Sequence, residues 1–361
     1  MLTSFEIRNF RVFSHLVLHR LARVNLVVGK NNVGKTCLLE ALRLYDCKGS
    51  VQAIEGVLAS RNEVRIDPER QRVLPMLDML FHKRTSEEGW GGSPQLAMGP
   101  QPASDDAHEW LFISGHDVAI VGPGRHGGDV LSVGSLSVSS GSETVGIACE
   151  ELFSKGGEER RVSGELPFLT AAPVSEDLVA HWWDAIVFTD LKNDVIKTLQ
   201  SLDPSVLDVG FVAHPLDRYR RMAMVRTSRA GGPLALRTLG DGVVRVFALA
   251  TALQYRGIWQ ERGGIGRALL IDEVENGIHH SFHASLWRSL FRLAQLNDVQ
   301  VFATTHSLDC LRGFARALEE DEQNDGLVIR LEKIEGEEKT GAVLIDREDL
   351  PIVVRDSIEV R

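Results

Sequence analysis

The feature that most constrains this chain is a glycine-rich turn between a buried strand and a helix. Residues 29–36 read Gly-Lys-Asn-Asn-Val-Gly-Lys-Thr, which fits the pattern G-x-x-x-x-G-K-[ST]. The apolar run Val24–Val28 before the turn predicts a strand buried on both faces. Leucines at helical spacing over Thr36–Tyr45 predict the helix after it. This strand, turn and helix together predict a phosphate-binding loop.

Each residue type in the loop has an expected role. The glycines let backbone N–H groups close around phosphate oxygens, and the N-terminus of the helix favours an anion. Lys35 is expected to reach the β- and γ-phosphates, and the Thr36 hydroxyl to ligate Mg²⁺. The predicted cofactors are therefore ATP and Mg²⁺. The predicted nucleotide-binding residues of the loop are Asn31, Asn32, Val33, Gly34, Lys35, Thr36 and Cys37.

Two acidic residues follow a second apolar strand, Ala268–Ile271. The strand places Asp272 at its carboxyl end, where α/β sheets bind ligands. An acid at this position can hold Mg²⁺ opposite Thr36. The adjacent Glu273 is the natural candidate to orient or deprotonate an attacking water.

A polar cluster, Thr304–Ser307, follows the apolar run Val299–Ala303. Asp272 and His306 are 34 residues apart, which is about one βαβ unit. The cluster is therefore expected at the same sheet edge as Asp272. From there His306 could contact the γ-phosphate or the water and take part in hydrolysis, although a capping or packing role is the alternative.

Two glycines precede the predicted helix Val243–Tyr255, in the run Thr238-Leu239-Gly240-Asp241-Gly242. Glycines at a helix N-terminus form a turn that can bind an anion. A simple capping turn has the same local sequence. The turn on its own leaves both interpretations open.

Helices alternate with buried strands in both end regions, which indicates an α/β sheet. Between them, residues 89–148 are rich in Gly, Ser and Pro with short β-like pieces, and Trp182–Leu202 has a helical pattern. We predict one α/β head with a mixed sheet, interrupted by a β-rich arm and a helical segment. The predicted divisions are an N-terminal lobe at 1–48, an insertion at 49–235 and a C-terminal lobe at 236–361.

Composition excludes several classes of protein. The net charge is −10, so any contact with nucleic acid must come from a local patch or a partner. The four cysteines form no CxxC pair, which argues against a zinc knuckle or a disulfide framework and fits a reducing compartment. No signal peptide is visible, and no apolar run approaches the roughly 20 residues that span a bilayer. We therefore expect a cytoplasmic protein with no membrane partner.

The order of these pieces resembles ABC-type ATPases of the SMC, RecF and OLD (overcoming lysogenization defect) branch. The resemblance covers residues 1–48 and 181–310 and leaves 89–175 unplaced. It implies a P-loop NTPase fold and a stand-alone OLD-like ATPase. The segments that carry it are Phe5–Phe13, the Asn-Asn pair of the loop, Trp183–Asp203, Asp272–His279 and Thr305–Ser307.

The resemblance also implies a composite site. In such ATPases two heads form a dimer around two ATP molecules, and the signature turn of one head touches the γ-phosphate bound by the other. Val274–Gly277 would cross the dimer, and Arg11 would lie near the nucleotide base. The usual signature has Ser where this chain has Gly240, so one hydroxyl contact is missing. The turn residues are Leu239, Gly240, Asp241 and Gly242.

Two parts of the family pattern are missing. Full-length OLD nucleases carry a C-terminal nuclease domain, whereas 55 residues follow His306 here and contain no Asp-x-Asp pair. We therefore expect that the chain is not itself a nuclease and acts with a separate effector protein, such as a nuclease. The usual glutamine loop has no counterpart, because Phe81–Arg84 near its expected place contains no Gln.

An arginine-rich stretch offers a candidate DNA face. If 216–226 is a strand, Arg218 and Arg220 lie on one face together with Met222 and Met224, and Arg226 extends that face. Such a face could contact DNA phosphates. The alternative is that the arginines pair with the excess acidic residues of the chain.

Three functions stay open at this point. The first is an ATPase that dimerises around ATP within a DNA repair or anti-phage defence system. The second is a regulatory module that binds ATP with negligible turnover, which the missing signature Ser favours. The third is a nucleotide-binding subunit of a transporter. Transporter subunits usually have a shorter gap than the 204 residues between Thr36 and Gly240.

Overall fold

A computed structural model describes residues 1–67, 72–82, 94–101, 109–116, 119–123, 129–153, 168–258, 267–334 and 339–355. The strands are β1 (Phe5–Phe10), β2 (Phe13–Leu18), β3 (Val24–Gly29), β4 (Val64–Asp67), β5 (Arg72–Pro75), β6 (Gln95–Gly99), β7 (Leu111–His116), β8 (Ala119–Pro123), β9 (Asp129–Ser132), β10 (Ser135–Ser140), β11 (Glu143–Ala148), β12 (Phe168–Leu169), β13 (Val206–His214), β14 (Asp217–Thr227), β15 (Leu234–Ala235), β16 (Ala268–Ile271), β17 (Gln300–Thr304), β18 (Gly326–Lys333) and β19 (Thr340–Ile345). The α-helices are α1 (Lys35–Asp46), α2 (Val51–Ala59), α3 (Glu176–Ile186), α4 (Leu191–Gln200), α5 (Asp241–Ile258), α6 (His283–Leu296), α7 (Leu308–Glu320) and α8 (Leu350–Arg355).

The central sheet is mixed, as predicted, with strand order β12-β16-β17-β3-β18-β19. Its strands run parallel except β19, which pairs antiparallel with β18. All six residues of β3 are buried, as expected for a parallel strand covered on both faces. The carboxyl ends of β3, β16 and β17 meet at one edge of this sheet. That edge bears the phosphate loop, the acids Asp272 and Glu273, and the polar cluster Thr304–Ser307.

The predicted βαβ unit between the acids and the histidine is present as β16, α6 and β17. The strand predicted over Ala268–Ile271 is confirmed with the same bounds. The next strand is displaced by one residue and ends at Thr304. That shift makes Thr304 the last residue of a buried strand, and it fixes the position of the threonine hydroxyl described below.

A second sheet, with order β11-β10-β7-β6-β1-β2, covers the N-terminal lobe. It joins β1 and β2 to four strands of the predicted β-rich arm. The arm is therefore an insertion along the chain, but in space its described strands extend the sheet that β1 and β2 begin. The divisions 1–48, 49–235 and 236–361 stay a prediction. Residues 102–108 and 154–167 of the insertion, and Lys83 and Arg84 of the glutamine-loop region, lie outside the described residues.

Two hydrophobic cores lie on opposite faces of the central sheet. Leu26 and Val28 of β3 belong to the core under α5, α6 and α7. Val27, between them, belongs to the core that α1 and the second sheet share. The alternation follows from the period of two along a strand. The edge predicted to bind nucleotide therefore rests on a strand that is packed from both sides.

The helical pattern over Trp182–Leu202 resolves into two helices, α3 and α4. The Thr189 hydroxyl donates to the Ile186 carbonyl at 2.8 Å and accepts from the Leu191 N–H at 3.3 Å. These local bonds compete with the helical pattern, so the chain turns between the two helices. Among the helices in the described ranges, none has both the length and the apolar character needed to cross a membrane.

Candidate functional site

The phosphate loop lies between the end of β3 and the start of α1. Gly29 has a φ of +140°, and a Cβ atom there would lie 2.3 Å from the Leu331 carbonyl oxygen. Gly34 has a φ of +108°, and a Cβ there would lie 2.6 Å from the Val12 side chain. Both positions therefore require glycine. The resulting loop points the N-terminus of α1 towards the cleft, which suits a phosphate.

Lys35 lies at the centre of the loop. Its ammonium donates to the Gly29 carbonyl at 2.7 Å and to the Lys30 carbonyl at 3.0 Å, and the residue is 5% exposed. Burial lowers the pKa of Lys35, while the charge of Asp272 opposes that shift. The side chain is thus a buried cation held by the backbone of the loop, as contact with phosphate oxygens requires.

Thr36 and Asp272 face each other across the sheet edge. The Thr36 hydroxyl lies 3.2 Å from Asp272 Oδ2, and the Thr304 hydroxyl donates to Asp272 Oδ1 at 2.5 Å. A hydroxyl and a carboxylate are oxygen ligands of the kind that Mg²⁺ takes, with phosphates and waters completing its shell. The two predicted metal ligands therefore fit Mg²⁺. No group of three or more His, Cys, Asp or Glu side chains in the described ranges is arranged to hold a metal.

Glu273 adopts a left-handed backbone conformation, with a φ of +48°. Its N–H donates to the Thr304 hydroxyl at 2.9 Å, which fixes this uncommon conformation. Its carboxylate stays exposed to the cleft, with His306 Nε2 3.7 Å from Glu273 Oε1. Glu273 and His306, which are 33 residues apart in the sequence, are therefore neighbours in the structure. Their arrangement could hold a water molecule beside a bound phosphate.

Glu273 and His306 border one open cleft of about 840 Å³. Asn31 and Asn32 lie on its phosphate-loop side, and Glu273 and His306 lie on the opposite side. Sequence reasoning gave no separate role to Glu275, whose Oε1 accepts the His306 N–H at 3.0 Å. The full set that lines the cleft is Lys30, Asn31, Asn32, Glu273, Glu275, Asn276 and His306.

The signature turn precedes α5 and lies beside the segment after the acids. Gly240 has a φ of +102° with open space around a Cβ position, so its backbone conformation, and not crowding, favours glycine. A Cβ at Gly242 would lie 2.8 Å from the Gly277 carbonyl oxygen. Of the turn residues Leu239, Gly240, Asp241 and Gly242, the last two therefore lie against Gly277. Their predicted contact with a second head stays a prediction.

Arg245, on α5 after the predicted signature turn, is a residue of the candidate site that sequence reasoning missed. Its guanidinium donates to the carbonyls of Thr170, Asp272 and Glu273 at 2.8, 3.0 and 3.4 Å. Burial lowers the pKa of this arginine, and the nearby acids oppose the shift. The side chain links α5 to the main chain of Asp272 and Glu273. No local motif marked it.

Two residues predicted to contact nucleotide have buried side chains. Arg11 is 5% exposed, and its guanidinium pairs with Glu63 at 2.7 Å and with Glu40 at 2.8 Å. These carboxylates engage the guanidinium inside the protein, and the assignment of Arg11 to the nucleotide base stays a prediction. The Cys37 side chain is also buried, and burial raises the pKa of its thiol to about 11. Only the backbone of Cys37 is suited to the predicted phosphate contact.

The strand predicted over 216–226 is present as β14. Arg220 and Arg226 are exposed on it, and the side chain of Arg218 lies outside the described part of the structure. Arg220 Nε lies 3.9 Å from Asp177 Oδ2, which is a weak ion pair at the surface. The candidate DNA face therefore exists as a surface, and its function stays a prediction.

Comparison with known proteins agrees with this geometry. Residues 179–311 match the family described as "AAA domain, putative AbiEii toxin, Type IV TA system", and residues 1–69 match the "AAA ATPase domain" family. A crystal structure of an SMC head bound to the C-winged helix domain of ScpA matches 96% of this chain and 97% of that chain. The TM-score is 0.53 at 11% sequence identity. The chain has the fold of an SMC-type P-loop ATPase head.

Two curated relatives cover this head to different extents. An "ATP/GTP phosphatase" of Helicobacter pylori is 22% identical over 338 residues, 85% of each chain. A "DNA replication and repair protein RecF" of Nitrosococcus oceani is 38% identical over 68 residues, which is 18% of this chain and 19% of the RecF protein. The matches together support an ATPase of the AAA and SMC type.

Proposed function

We propose that this chain binds Mg-ATP and hydrolyses it. The observation that carries the proposal is the convergence of Lys35, Thr36, Asp272, Glu273 and His306 at one sheet edge. The relative described as an ATP/GTP phosphatase supports the same activity. Phosphoryl transfer relies mainly on positioning and charge stabilisation, and these residues supply both.

Each residue has a separate task in this proposal. Lys35 contacts the β- and γ-phosphates with its positive charge. The backbone N–H groups of the loop donate hydrogen bonds to the phosphate oxygens. Thr36 and Asp272 would hold Mg²⁺, which would neutralise further phosphate charge. Glu273 accepts the proton of the attacking water at its carboxylate. His306 contacts the water or the γ-phosphate from the other side of the acid.

Two variants test these tasks independently. Lys35→Ala removes the buried cation and should abolish ATP binding in calorimetry. Glu273→Gln keeps the shape but loses the base, so it should bind ATP and hydrolyse it at least about 10²-fold more slowly. Lys197→Ala and Glu319→Gln, at exposed positions of α4 and α7, serve as matched controls. Phosphate release at the wild-type rate by Glu273→Gln would remove Glu273 from the mechanism.

We further propose that two heads enclose ATP between them. The support is the exposed turn at Gly240, which has open space in front of its backbone. Backbone N–H groups of Leu239–Gly242 would then touch the phosphate bound by the partner head. Light scattering of Glu273→Gln should show a larger mass, or a change in the shape of an existing dimer, when Mg-ATP is added. An unchanged monomer that hydrolyses ATP efficiently would contradict the composite site.

The cellular role that we propose is DNA repair or anti-phage defence, as an OLD-like ATPase with a separate effector. The RecF relative and the match to a toxin-type AAA domain support it. Any direct DNA contact is assigned to the predicted face of Arg218, Arg220 and Arg226, of which the last two have described side chains. Two neutralised phosphates give a slope of about −1.8 for log K against log salt on duplex DNA. Fluorescence anisotropy of Arg220→Ala/Arg226→Ala against wild type, with Arg312→Ala/Arg316→Ala as control, tests this face.

A second candidate function is a regulatory module that holds ATP with negligible turnover. Gly240 in place of the family's Ser favours it, because the turn lacks one hydroxyl donor. The two candidates differ in a single measurement. ATP binding by wild type without phosphate release, at any DNA concentration, would support the regulatory module and refute the ATPase.

A further inference from the structure

Glu275 makes a contact that the proposed mechanism has not used. Its Oε1 accepts the backbone N–H of His306 at 3.0 Å. Its Oε2 is buried and has no hydrogen-bond partner among the described residues. The side chain is half-buried on the wall of the nucleotide cleft. A carboxylate in this place therefore bonds to the main chain of the histidine segment.

The bond continues a series that joins two segments of the site. The Glu273 N–H donates to the Thr304 hydroxyl, and the Val274 N–H donates to the Thr304 carbonyl at 3.0 Å. Both of these bonds end on the last residue of β17. The bond from the His306 N–H to Glu275 joins the same two segments again, two residues beyond the end of β17. It thereby sets the path of the backbone that bears the imidazole.

The imidazole needs such support. His306 Nε2 lies 3.7 Å from Glu273 Oε1, which is too long for a hydrogen bond. No hydrogen bond from Glu273 holds the ring, so its position depends on the path of its own main chain. Glu275 fixes that main chain from the segment that also bears Glu273.

We propose that Glu275 is a positioning residue, which acts on hydrolysis through His306 and holds its backbone relative to Glu273. The inference rests on the proposed ATPase function. It assigns Glu275 no contact with nucleotide or metal. A hydrogen-bond acceptor at this place is required, and a negative charge is not.

Two substitutions separate an acceptor from a charge. Glu275→Gln keeps a carbonyl oxygen that can accept the His306 N–H but removes the charge. Glu275→Ala removes both. A double-mutant cycle is formed by wild type, Glu275→Ala, His306→Ala and the double variant Glu275→Ala/His306→Ala.

The expected results are specific to positioning. Glu275→Ala should lower kcat about tenfold, the effect of a modest displacement of a catalytic group, with KM for ATP unchanged. Glu275→Gln should recover most of kcat. The double variant should be no slower than His306→Ala alone, because both changes act on one group.

Other results would overturn the inference. Equal losses in Glu275→Gln and Glu275→Ala would mean that the charge matters. An additive double variant would mean that Glu275 acts independently of His306, and a raised KM would mean that it binds nucleotide.

A second measurement does not depend on turnover. If wild type releases no phosphate, the proposed ATPase function fails, and amide hydrogen exchange by NMR still tests the contact. The His306 amide should exchange slowly in wild type and Glu275→Gln, and faster in Glu275→Ala. Equal exchange rates in all three proteins would refute the contact itself.

Discussion

Replacing Thr304 with valine should lower the free energy of unfolding and loosen the backbone that bears Glu273. Thr304 is fully buried, and its hydroxyl donates to Asp272 and accepts the Glu273 N–H. Valine keeps the volume and removes both bonds. A hydrogen bond to a charged group contributes about 1.5–3 kcal/mol, and an unpaired buried N–H costs about 1–3 kcal/mol. Because the two bonds share one hydroxyl, we expect a total loss of about 2–4 kcal/mol.

The same change should reduce turnover. Glu273 keeps its left-handed backbone, with a φ of +48°, through the bond to Thr304. Without that bond the carboxylate is free to move away from the attacking water. We expect kcat to fall by about tenfold to a hundredfold while ATP still binds through Lys35. Urea unfolding followed by tryptophan fluorescence and a phosphate-release assay measure the two effects.

Thr304→Ser is the matched control. Serine keeps the hydroxyl and deletes one methyl group, so it should cost about 1 kcal/mol and retain most of the turnover. The order of stability should therefore be wild type, Thr304→Ser, Thr304→Val. If Thr304→Val unfolds at the same urea concentration as wild type and hydrolyses ATP as fast, the two hydrogen bonds do not support the acids.

Two further predictions concern the signature turn and the buried thiols. Gly242→Ala should impair hydrolysis more than ATP binding, because the added Cβ displaces the Gly277 carbonyl. This displacement should outweigh the helix propensity of alanine, which is more favourable than that of glycine by about 1 kcal/mol. Gly232→Ala, which meets no atom within 4 Å, is the control, and equal phosphate release by both would contradict the prediction. Burial raises the thiol pKa of Cys37 to about 11 and of Cys310 to about 12, so the unfolded chain ionises first. The free energy of unfolding should be unaffected by these thiols below about pH 8 and should fall as the pH rises above about 9. Replacing both cysteines with alanine should flatten that fall in urea titrations, and an unchanged pH dependence would contradict it.

The parts of the site that depend on local sequence could be predicted. The strand at Val24–Gly29 and its glycine turn follow from apolar pattern and backbone geometry within a dozen residues. Asp272 and Glu273 follow from their place after an apolar strand. Parallel strands then bring their carboxyl ends to one edge, so the assembly of the site also follows.

The parts that depend on distant partners could not be predicted. Arg11 follows β1 as the family resemblance requires, but Glu40 and Glu63 approach it from α1 and from the segment after α2. Thr304 is one of four polar residues in a row, and only the fold shows that its hydroxyl supports both acids. The second sheet was missed for the same reason. The pairing of β1 with β6 joins residues about 90 positions apart, and no local pattern records it.

The position of β3 in the central sheet has a consequence for synthesis of the chain. Its two neighbours, β17 and β18, come from the last quarter of the sequence, and Asn25 and Val301 are 276 residues apart. At roughly 5–20 residues per second, β3 waits on the order of 15–55 s on the ribosome before either neighbour exists. During that interval its apolar side chains and both backbone edges are unpaired, a state that favours aggregation and recruits chaperones. A nascent chain that already contains the complete phosphate loop therefore cannot bind nucleotide through a folded site, because the strands on either side of β3 are translated more than 270 residues later.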